Sequence, residues 1–369
     1  MRIGVLTSSR ADYGIYLPLL QKLKTDSFFE LEIIAFGTHL SKFHGYTLTD
    51  IEKDGYKTIH KISSLIDDDS QKGITISYGN TIIKFSNFWD NNSFDLVLCL
   101  GDRFEMSAAV QASIPFGIKL AHIHGGETTL GAIDNIYRHQ ITLASKIHFT
   151  STEAYKFRVA ELVESNKSVF DVGALSLSNI EEFIPINKNK FFSRFKIKDA
   201  PYCLITFHPE TNAFRENNEY AIEMRKALEF ASSKINLVIT MPNADNMGKF
   251  YREQLYLLKK TKRDKILLIE NFGKENYFTA MYYADFLLGN TSSGIIEAGS
   301  FKKHVINVGD RQKGRAQSKN IIDSKFKSTE IINAFNNCLK LNSYEGDNIY
   351  YNSRSVKIII KILKNYEKL

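Results

Sequence analysis

Short apolar runs alternate with longer amphipathic stretches along nearly the whole chain, and this alternation limits the folds open to it. Strand-length runs separated by helix-length patterns call for βα units and parallel sheets. In the first half the strand candidates are Ile3–Thr7, Leu31–Phe36, Leu96–Leu100, Leu120–Ile123, Ile147–Thr150 and Val169–Val172. Helical patterns lie between them, among them Gly14–Lys24, Phe104–Ser113 and Thr152–Val163. A looser, Asn/Lys-rich stretch at Ile184–Ala200 interrupts the pattern. It then restarts with Tyr202–Phe207, Asn236–Thr240, Ile266–Ile269, Phe286–Leu288 and Val305–Val308. The restart puts a boundary near residues 175–200, and 369 residues exceed what one core usually organises. The expected fold class is α/β, with two doubly wound parallel-sheet domains, residues 1–180 and 181–349, and a central cleft. A last amphipathic helix, Tyr350–Lys368, has Val356, Ile359, Ile360 and Leu363 on one side. With no strand after it, this helix, residues 350–369, either caps the second domain or crosses back to join the first.

Composition excludes several classes. No apolar run approaches membrane-spanning length, and the amino terminus, MRIGVLTSSR, reads as a strand entering a loop rather than a secretory signal. Cys99, Cys203 and Cys338 are far apart and form no CxxC pair, so buried reduced thiols and a cytoplasmic setting are expected. The net charge of +7 comes from scattered basic residues, with tracts such as Lys259–Arg263 read as a solvated helix end. With no RNP, zinc-finger or KH-type signature, no nucleic-acid partner is expected.

The chemistry-bearing residues follow strand candidates directly, where open parallel sheets place ligand loops. The first loop, Thr7-Ser8-Ser9-Arg10-Ala11-Asp12-Tyr13-Gly14, lacks GxGxxG, which argues against a dinucleotide. Arg10 suits phosphate or carboxylate, while Ser9 and Asp12 also fit a helix cap. The second loop is Gly101-Asp102-Arg103-Phe104-Glu105. The third is His122-Ile123-His124-Gly125-Gly126-Glu127, followed by Asp134 and then by Arg138 and His139. Asp102, Glu127 and Asp134 thus stand at or just beyond adjacent strand ends, a set suited to moving protons. His122 and His124 share a face if that segment is extended, but a third ligand of plausible spacing is missing, so no metal is expected.

The fourth loop, Phe207-His208-Pro209-Glu210-Thr211, presents His208 at a strand exit stiffened by proline, for acid/base work or for a phosphate. The fifth, Gly289-Asn290-Thr291-Ser292-Ser293-Gly294, runs from strand to helix and offers hydroxyls and free N–H groups to a diphosphate. Glu297 follows one turn on, placed to accept ribose hydroxyls, and Gly309–Arg315 adds Arg311, Lys313 and Arg315.

Taken in order, SSRADYG, GDR, HIHGGE with AIDNIYRH, FHPET, GNTSSGIIEAG and GDRQKGR resemble the hydrolysing UDP-N-acetylglucosamine 2-epimerases across nearly the whole chain. Ser8-Ser9-Arg10-Ala11-Asp12 stands where non-hydrolysing relatives carry GTRPE, and Gly126-Glu127-Thr128-Thr129 where they carry a GLRT-type stretch. The resemblance implies two Rossmann-like domains in the GT-B arrangement, with the carboxy-terminal helix returning to the first; from size and class, a homo-oligomer, dimer or tetramer, is expected. It implies conversion of UDP-N-acetylglucosamine to N-acetylmannosamine and UDP, by elimination to a glycal followed by hydration, for sialic-type acid biosynthesis. No cofactor is implied. By position, Asp102, Glu127, Asp134 and His208 would be catalytic. Arg10, Asp12, Arg103, His139, Ser292, Ser293, Glu297 and Arg315 would hold the UDP-linked sugar. UDP- or GDP-linked N,N′-diacetylbacillosamine, of the legionaminic-acid pathway, is the alternative substrate. A GT-B glycosyltransferase or a nucleotide-sugar sensor would have less reason to keep three clustered carboxylates.

Overall fold

The computed structural model describes residues 1–42, 45–68, 70–213, 215–242, 246–262 and 264–366. Parts of two expected segments, Arg263 of the basic tract and the end of the last helix (Lys368 and its neighbours Glu367 and Leu369), lie outside the described residues.

The chain forms two units, each built around one parallel sheet. In chain order the first contains β1 (Arg2–Thr7), α1 (Arg10–Thr25), β2 (Glu30–Phe36), α2 (Leu48–Lys53), β3 (Thr58–Ile62), α3 (Gln71–Asn91) and β4 (Leu96–Leu100). It continues through α4 (Phe104–Ser113), β5 (Leu120–Ile123), α5 (Asp134–Ala144), β6 (Ile147–Thr150), α6 (Glu153–Leu162) and β7 (Val169–Asp171). The sheet order is β3-β2-β1-β4-β5-β6-β7, every pairing parallel. The direction of winding reverses between β1 and β4, so the loops after these two strands border the crevice where open α/β sheets bind ligands.

The second unit contains α7 (Lys188–Phe195), β8 (Tyr202–Thr206), α8 (Asn217–Ser232), β9 (Asn236–Thr240), α9 (Asn246–Thr261), β10 (Ile266–Ile269) and α10 (Lys274–Tyr283). After these come β11 (Phe286–Gly289), α11 (Ser292–Ile296), β12 (Val305–Val308), β13 (Ile321–Ser324) and α12 (Ser328–Cys338). Its order, β10-β9-β8-β11-β12-β13, reverses between β8 and β11, the strands that precede His208 and the Gly289–Ser293 turn. The doubly wound, two-sheet class expected from the sequence is the one observed. Two strands went unread, β3 and β13. Both lie at a sheet edge, and Thr58-Ile-His-Lys-Ile and Ile-Ile-Asp-Ser324 carry too little continuous apolar sequence to stand out.

Two stretches depart from chain order. Residues Thr128–Ile133, which lie in sequence between Glu127 and Asp134, pack with the second unit. There Leu130 N–H donates to Lys313 O (3.0 Å) and Asn212 Nδ2 to Leu130 O (2.8 Å). The segment from Tyr350 onward belongs to the first unit. It begins in turns before the helix: Ala174 N–H donates to Tyr350 O (2.8 Å), and Ser355 Oγ to Val172 O (2.5 Å). This pairing delays the helix, so α13 spans Ser355–Leu363 rather than starting at Tyr350. Ile359, Ile360 and Leu363 then enter the first unit's core beside Leu19, Leu20 and Leu23 of α1. The three cysteines are buried free thiols, and burial pushes Cys99 up to about 12. No described helix is long and apolar enough to cross a membrane.

One glycine is fixed by contact rather than by turn chemistry. A Cβ on Gly289, at the end of β11, would sit 1.9 Å from the Thr206 carbonyl oxygen of β8, at a φ of +150°. Gly289→Ala is therefore expected to destabilise the protein by roughly 3 kcal/mol or more, combining overpacking with backbone strain. Gly79→Ala, in α3 with open space around it, should be neutral or stabilise by about 0.5–1 kcal/mol. Thermal melts of the two variants check the pair, and equal melting temperatures would refute the close approach.

Candidate functional site

In the first unit, Ser9 caps α1 and closes a capping box with Asp12. The Asp12 carboxylate accepts from Ser8 N–H (2.9 Å), Ser8 Oγ (2.8 Å), Ser9 N–H (3.1 Å) and Thr7 Oγ1 (2.5 Å). Asp12, expected among the ligand-binding residues, is thus buried and turned into its own loop, because these donors satisfy its charge there. What the loop presents is Arg10, exposed at the first position of α1. His39, missed in the sequence, lies fully buried beneath, with Nε2 3.0 Å from Thr7 Oγ1 and Nδ1 2.8 Å from Thr47 Oγ1.

The second and third loops meet through Arg138. This buried guanidinium on α5 hydrogen-bonds and ion-pairs with Asp102 and donates to Glu127 O (2.6 Å). It joins the loops after β4 and β5, which is why a residue four positions beyond Asp134 matters to both carboxylate segments. Arg103 forks onto Glu105 with contacts of 2.6 and 3.2 Å. Its pKa is raised, chiefly by Glu105 and further by Asp12 and Asp134. Glu105, fully buried, is therefore the anchor for Arg103, and nothing in GDRFE distinguished it from a helix-face residue. Asp134 starts α5 half-buried, and His139 Nε2 lies 3.4 Å from Asn135 Nδ2. Burial and then the charges of Arg138 and Arg158 lower the His139 pKa.

His122 and His124 do not share a face. His122 ends up buried, with Nε2 2.8 Å from Gly101 O and Nδ1 3.1 Å from Thr142 Oγ1, and burial drives its pKa down to about 3. His124 follows β5 in a left-handed conformation (φ +66°), so the strand alternation has already ended. Its Nδ1 lies 3.2 Å from Glu127 Oε1, the same oxygen that accepts from Ser151 Oγ (2.7 Å). Among the described residues, no group of three or more His, Cys, Asp or Glu side chains is placed to hold a metal.

In the second unit the hub is Asn290, fully buried within the GNTSSG motif. Its side chain brackets the His208 backbone, accepting from His208 N–H (2.7 Å) and donating to His208 O (2.8 Å). Its carbonyl accepts from Arg311 Nη1 (3.2 Å) and Gln312 Nε2 (3.0 Å). One residue thus registers the His208 loop, the turn after β11 and the loop after β12. Thr291, rather than either serine, caps α11, its Oγ1 accepting from Gly294 N–H (3.1 Å). Ser292 is exposed and Ser293 half-buried in that first turn. The helix is only five residues long, so its offer to an anion is local N–H and O–H groups rather than a long macrodipole. Glu297 terminates α11, in the field of Lys274.

Glu210, the glutamate of FHPET, is buried and accepts from the Asp310 (2.7 Å) and Arg311 (3.1 Å) N–H groups. It fixes the loop that carries Arg311 and, half-buried beyond Gly314, Arg315. Burial, with a lesser contribution from Arg311, lowers His208 to about 3, so the free protein holds this imidazole neutral.

The family model described as UDP-N-acetylglucosamine 2-epimerase matches residues 21–364. The chain is 35% identical over 330 residues to the GDP/UDP-N,N′-diacetylbacillosamine 2-epimerase (hydrolyzing) of Campylobacter jejuni, covering 89% of this chain and 85% of that protein. It is 30% identical over 367 residues to the UDP-N,N′-diacetylbacillosamine 2-epimerase (hydrolyzing) of Legionella pneumophila, covering 98% and 95%. In fold it is similar to the crystal structure of UDP-GlcNAc 2-epimerase from Neisseria meningitidis bound to UDP-GlcNAc. The TM-score there is 0.83 at 18% identity, over 99% of this chain and 100% of that one. With the family model spanning nearly the full length and the motif loops gathered at the switch points of two parallel sheets, the chain belongs to the UDP-N-acetylglucosamine 2-epimerase family.

Proposed function

We propose that this protein is a hydrolysing 2-epimerase acting on a UDP-linked 2-acetamido sugar. A base removes the proton on the sugar's carbon 2 as the anomeric carbon–oxygen bond to UDP breaks, leaving a glycal. Water adds at carbon 1 and a proton returns to carbon 2 on the opposite face, releasing the free sugar of manno configuration. The observation that carries this reading is the Arg138 bridge between Asp102 and the Glu127 backbone, which holds two carboxylate-bearing loops in register. In this reading Asp102, Glu127 and Asp134 move protons at carbon 2 and at the incoming water, with Arg103 and His139 beside them. Arg10, Ser292, Ser293 and Arg315 take the diphosphate charge that develops on leaving, and Glu297 the ribose. His208, neutral in the free protein, donates to the departing oxygen once the anion raises its proton affinity.

For the sugar, UDP-N-acetylglucosamine was the first expectation from the motifs. The names of the Campylobacter and Legionella relatives favour the alternative, and we take UDP-N,N′-diacetylbacillosamine as the substrate. The two are separated by incubating the protein with each, and with the GDP-linked form, in deuterated water while proton NMR follows the products. UDP and a free 2,4-diacetamido mannose-type sugar carrying deuterium at carbon 2 are expected. Accumulation of a nucleotide-linked epimer would overturn the hydrolysing assignment, and faster turnover of UDP-N-acetylglucosamine the choice of sugar.

A further inference from the structure

His124 stands in a backbone conformation that non-glycine residues seldom adopt, yet it is almost fully buried and both ring nitrogens are engaged. The Leu175 backbone N–H points at His124 Nε2 at 3.2 Å. A backbone N–H can only donate, so Nε2 is the acceptor and the ring proton sits on Nδ1. That nitrogen lies 3.2 Å from Glu127 Oε1. The tautomer that accepts from Leu175 thus carries its N–H on Nδ1, the nitrogen nearest the Glu127 carboxylate.

The backbone around it is built to keep this aim. His124 N–H continues the sheet by donating to Phe149 O (2.8 Å), and Arg158 Nη1 holds Gly126 O (3.0 Å). At Gly126 (φ +77°) a Cβ would lie 2.6 Å from Val159 Cγ2, so the chain passes too close to α6 for any side chain. Ser151 Oγ supplies the second donor to the same carboxylate oxygen. Leu175, in turn, follows Ala174, the residue whose N–H is tied to Tyr350 O. A histidine held in a costly conformation, with its tautomer fixed from one side, has a reason to be there only if the other side matters.

We infer that His124 is a positioning residue, which aims Glu127 and keeps it in the ionised, proton-accepting form through its Nδ1–H donor. This rests on the reading of Glu127 as a proton-transfer carboxylate, and the tests separate the two. Asparagine places an N–H at the position of Nδ1 and tolerates the left-handed region, so His124→Asn should keep kcat within about tenfold of wild type. His124→Leu removes the donor and should lower kcat by about a hundredfold, with KM within threefold. Should leucine not fold, His124→Gln keeps an acceptor for Leu175 without the Nδ1 donor. It should melt near wild type and still lose kcat. In the double variant His124→Leu/Glu127→Gln, turnover should match Glu127→Gln alone within a factor of three, because the histidine acts only through the carboxylate. Wild-type kcat in the leucine or glutamine variant overturns the inference, as do losses that multiply in the double variant. Full turnover by Glu127→Gln instead overturns the catalytic reading of Glu127 itself.

Discussion

Asp102→Asn is expected to abolish turnover, lowering kcat by at least about a thousandfold, while UDP still binds. Asparagine preserves shape and can still accept a hydrogen bond from Arg138, but it cannot take or stabilise a proton. Of the groups expected to hold the diphosphate, Ser292, Ser293 and Arg315 belong to the other unit and Arg10 to a separate loop of the first, so the UDP dissociation constant measured by calorimetry should stay within about threefold. A second effect accompanies the first. Arg138 is 2% exposed and its Asp102 partner 26%. Loss of the carboxylate charge takes away one side of a largely buried pair. Removing one partner of a fully buried pair costs about 3–5 kcal/mol, and the partial exposure of Asp102 reduces this to about 1–3 kcal/mol. The variant should therefore melt several degrees lower as well as being inactive. Turnover at the wild-type rate would remove Asp102 from the reaction, and an unchanged melt would remove the ion pair from the stability of the first unit.

Acidification from pH 6.5 to pH 5 is the other large expected effect, and it acts on stability. Burial holds His122 at about 3 and His148 at about 4 in the first unit, and His208 at about 3 in the second. In the unfolded chain each titrates near 6.5. The unfolded state thus binds more protons below pH 6.5, and stability falls as the pH falls; it is fully present above 6.5. By pH 5 each histidine has withdrawn about 2 kcal/mol. The first unit loses about 4 kcal/mol and the second about 2 kcal/mol, against a typical total of 5–15 kcal/mol. The paired carboxylates titrate lower: Glu223, at about 2 through its bonds to Lys226 and Ser328, gives up stability only as the pH drops through 4.5. Calorimetric melts between pH 7.5 and 5 should show the first unit's transition moving further than the second's. His148→Gln should flatten the pH dependence of the first by about half. Melting temperatures that hold constant from 6.5 to 5 would mean these rings are not kept neutral.

Much of the fold was legible because its central strands are continuous apolar runs. Leu96–Leu100, placed as read, and Tyr202–Thr206, one residue shorter than the Tyr202–Phe207 read from the sequence, are buried along their whole length. β3 and β13 escape this signal because their short sequences are partly polar, whereas β7 and β10, also at sheet edges, were read from their apolar runs. The site was legible to the extent that function sits at strand ends. Asp102, Glu127, His208 and the GNTSSG turn were singled out by position, and they lie in the segments that follow β4, β5, β8 and β11. What position does not reveal is pairing. Glu105 pairs with Arg103 within one loop, whereas Glu210 under the Asp310–Arg311 backbone and Asn290 between three loops join elements far apart in sequence; the side chains look ordinary one by one. Asp12 shows the converse. Its position after β1 suggested a ligand group, but a carboxylate surrounded by four local donors is satisfied within its own loop.

The return of residues Tyr350–Leu363 to the first unit bears on how the chain acquires its structure during synthesis. The β-sheet of that unit leaves the ribosome early, but Ile359, Ile360 and Leu363, which complete its core, are made only after the whole second unit. Burying three such side chains is worth about 1.5–3 kcal/mol each, a large part of what a unit of this size has in reserve. The second unit needs nothing made after Ile349, and its early segment, Thr128–Ile133, is already waiting. Assembly should thus run in reverse of sequence order. The unit translated second settles first, while the nascent amino-terminal half stays exposed to chaperones and proteases until the final helix docks.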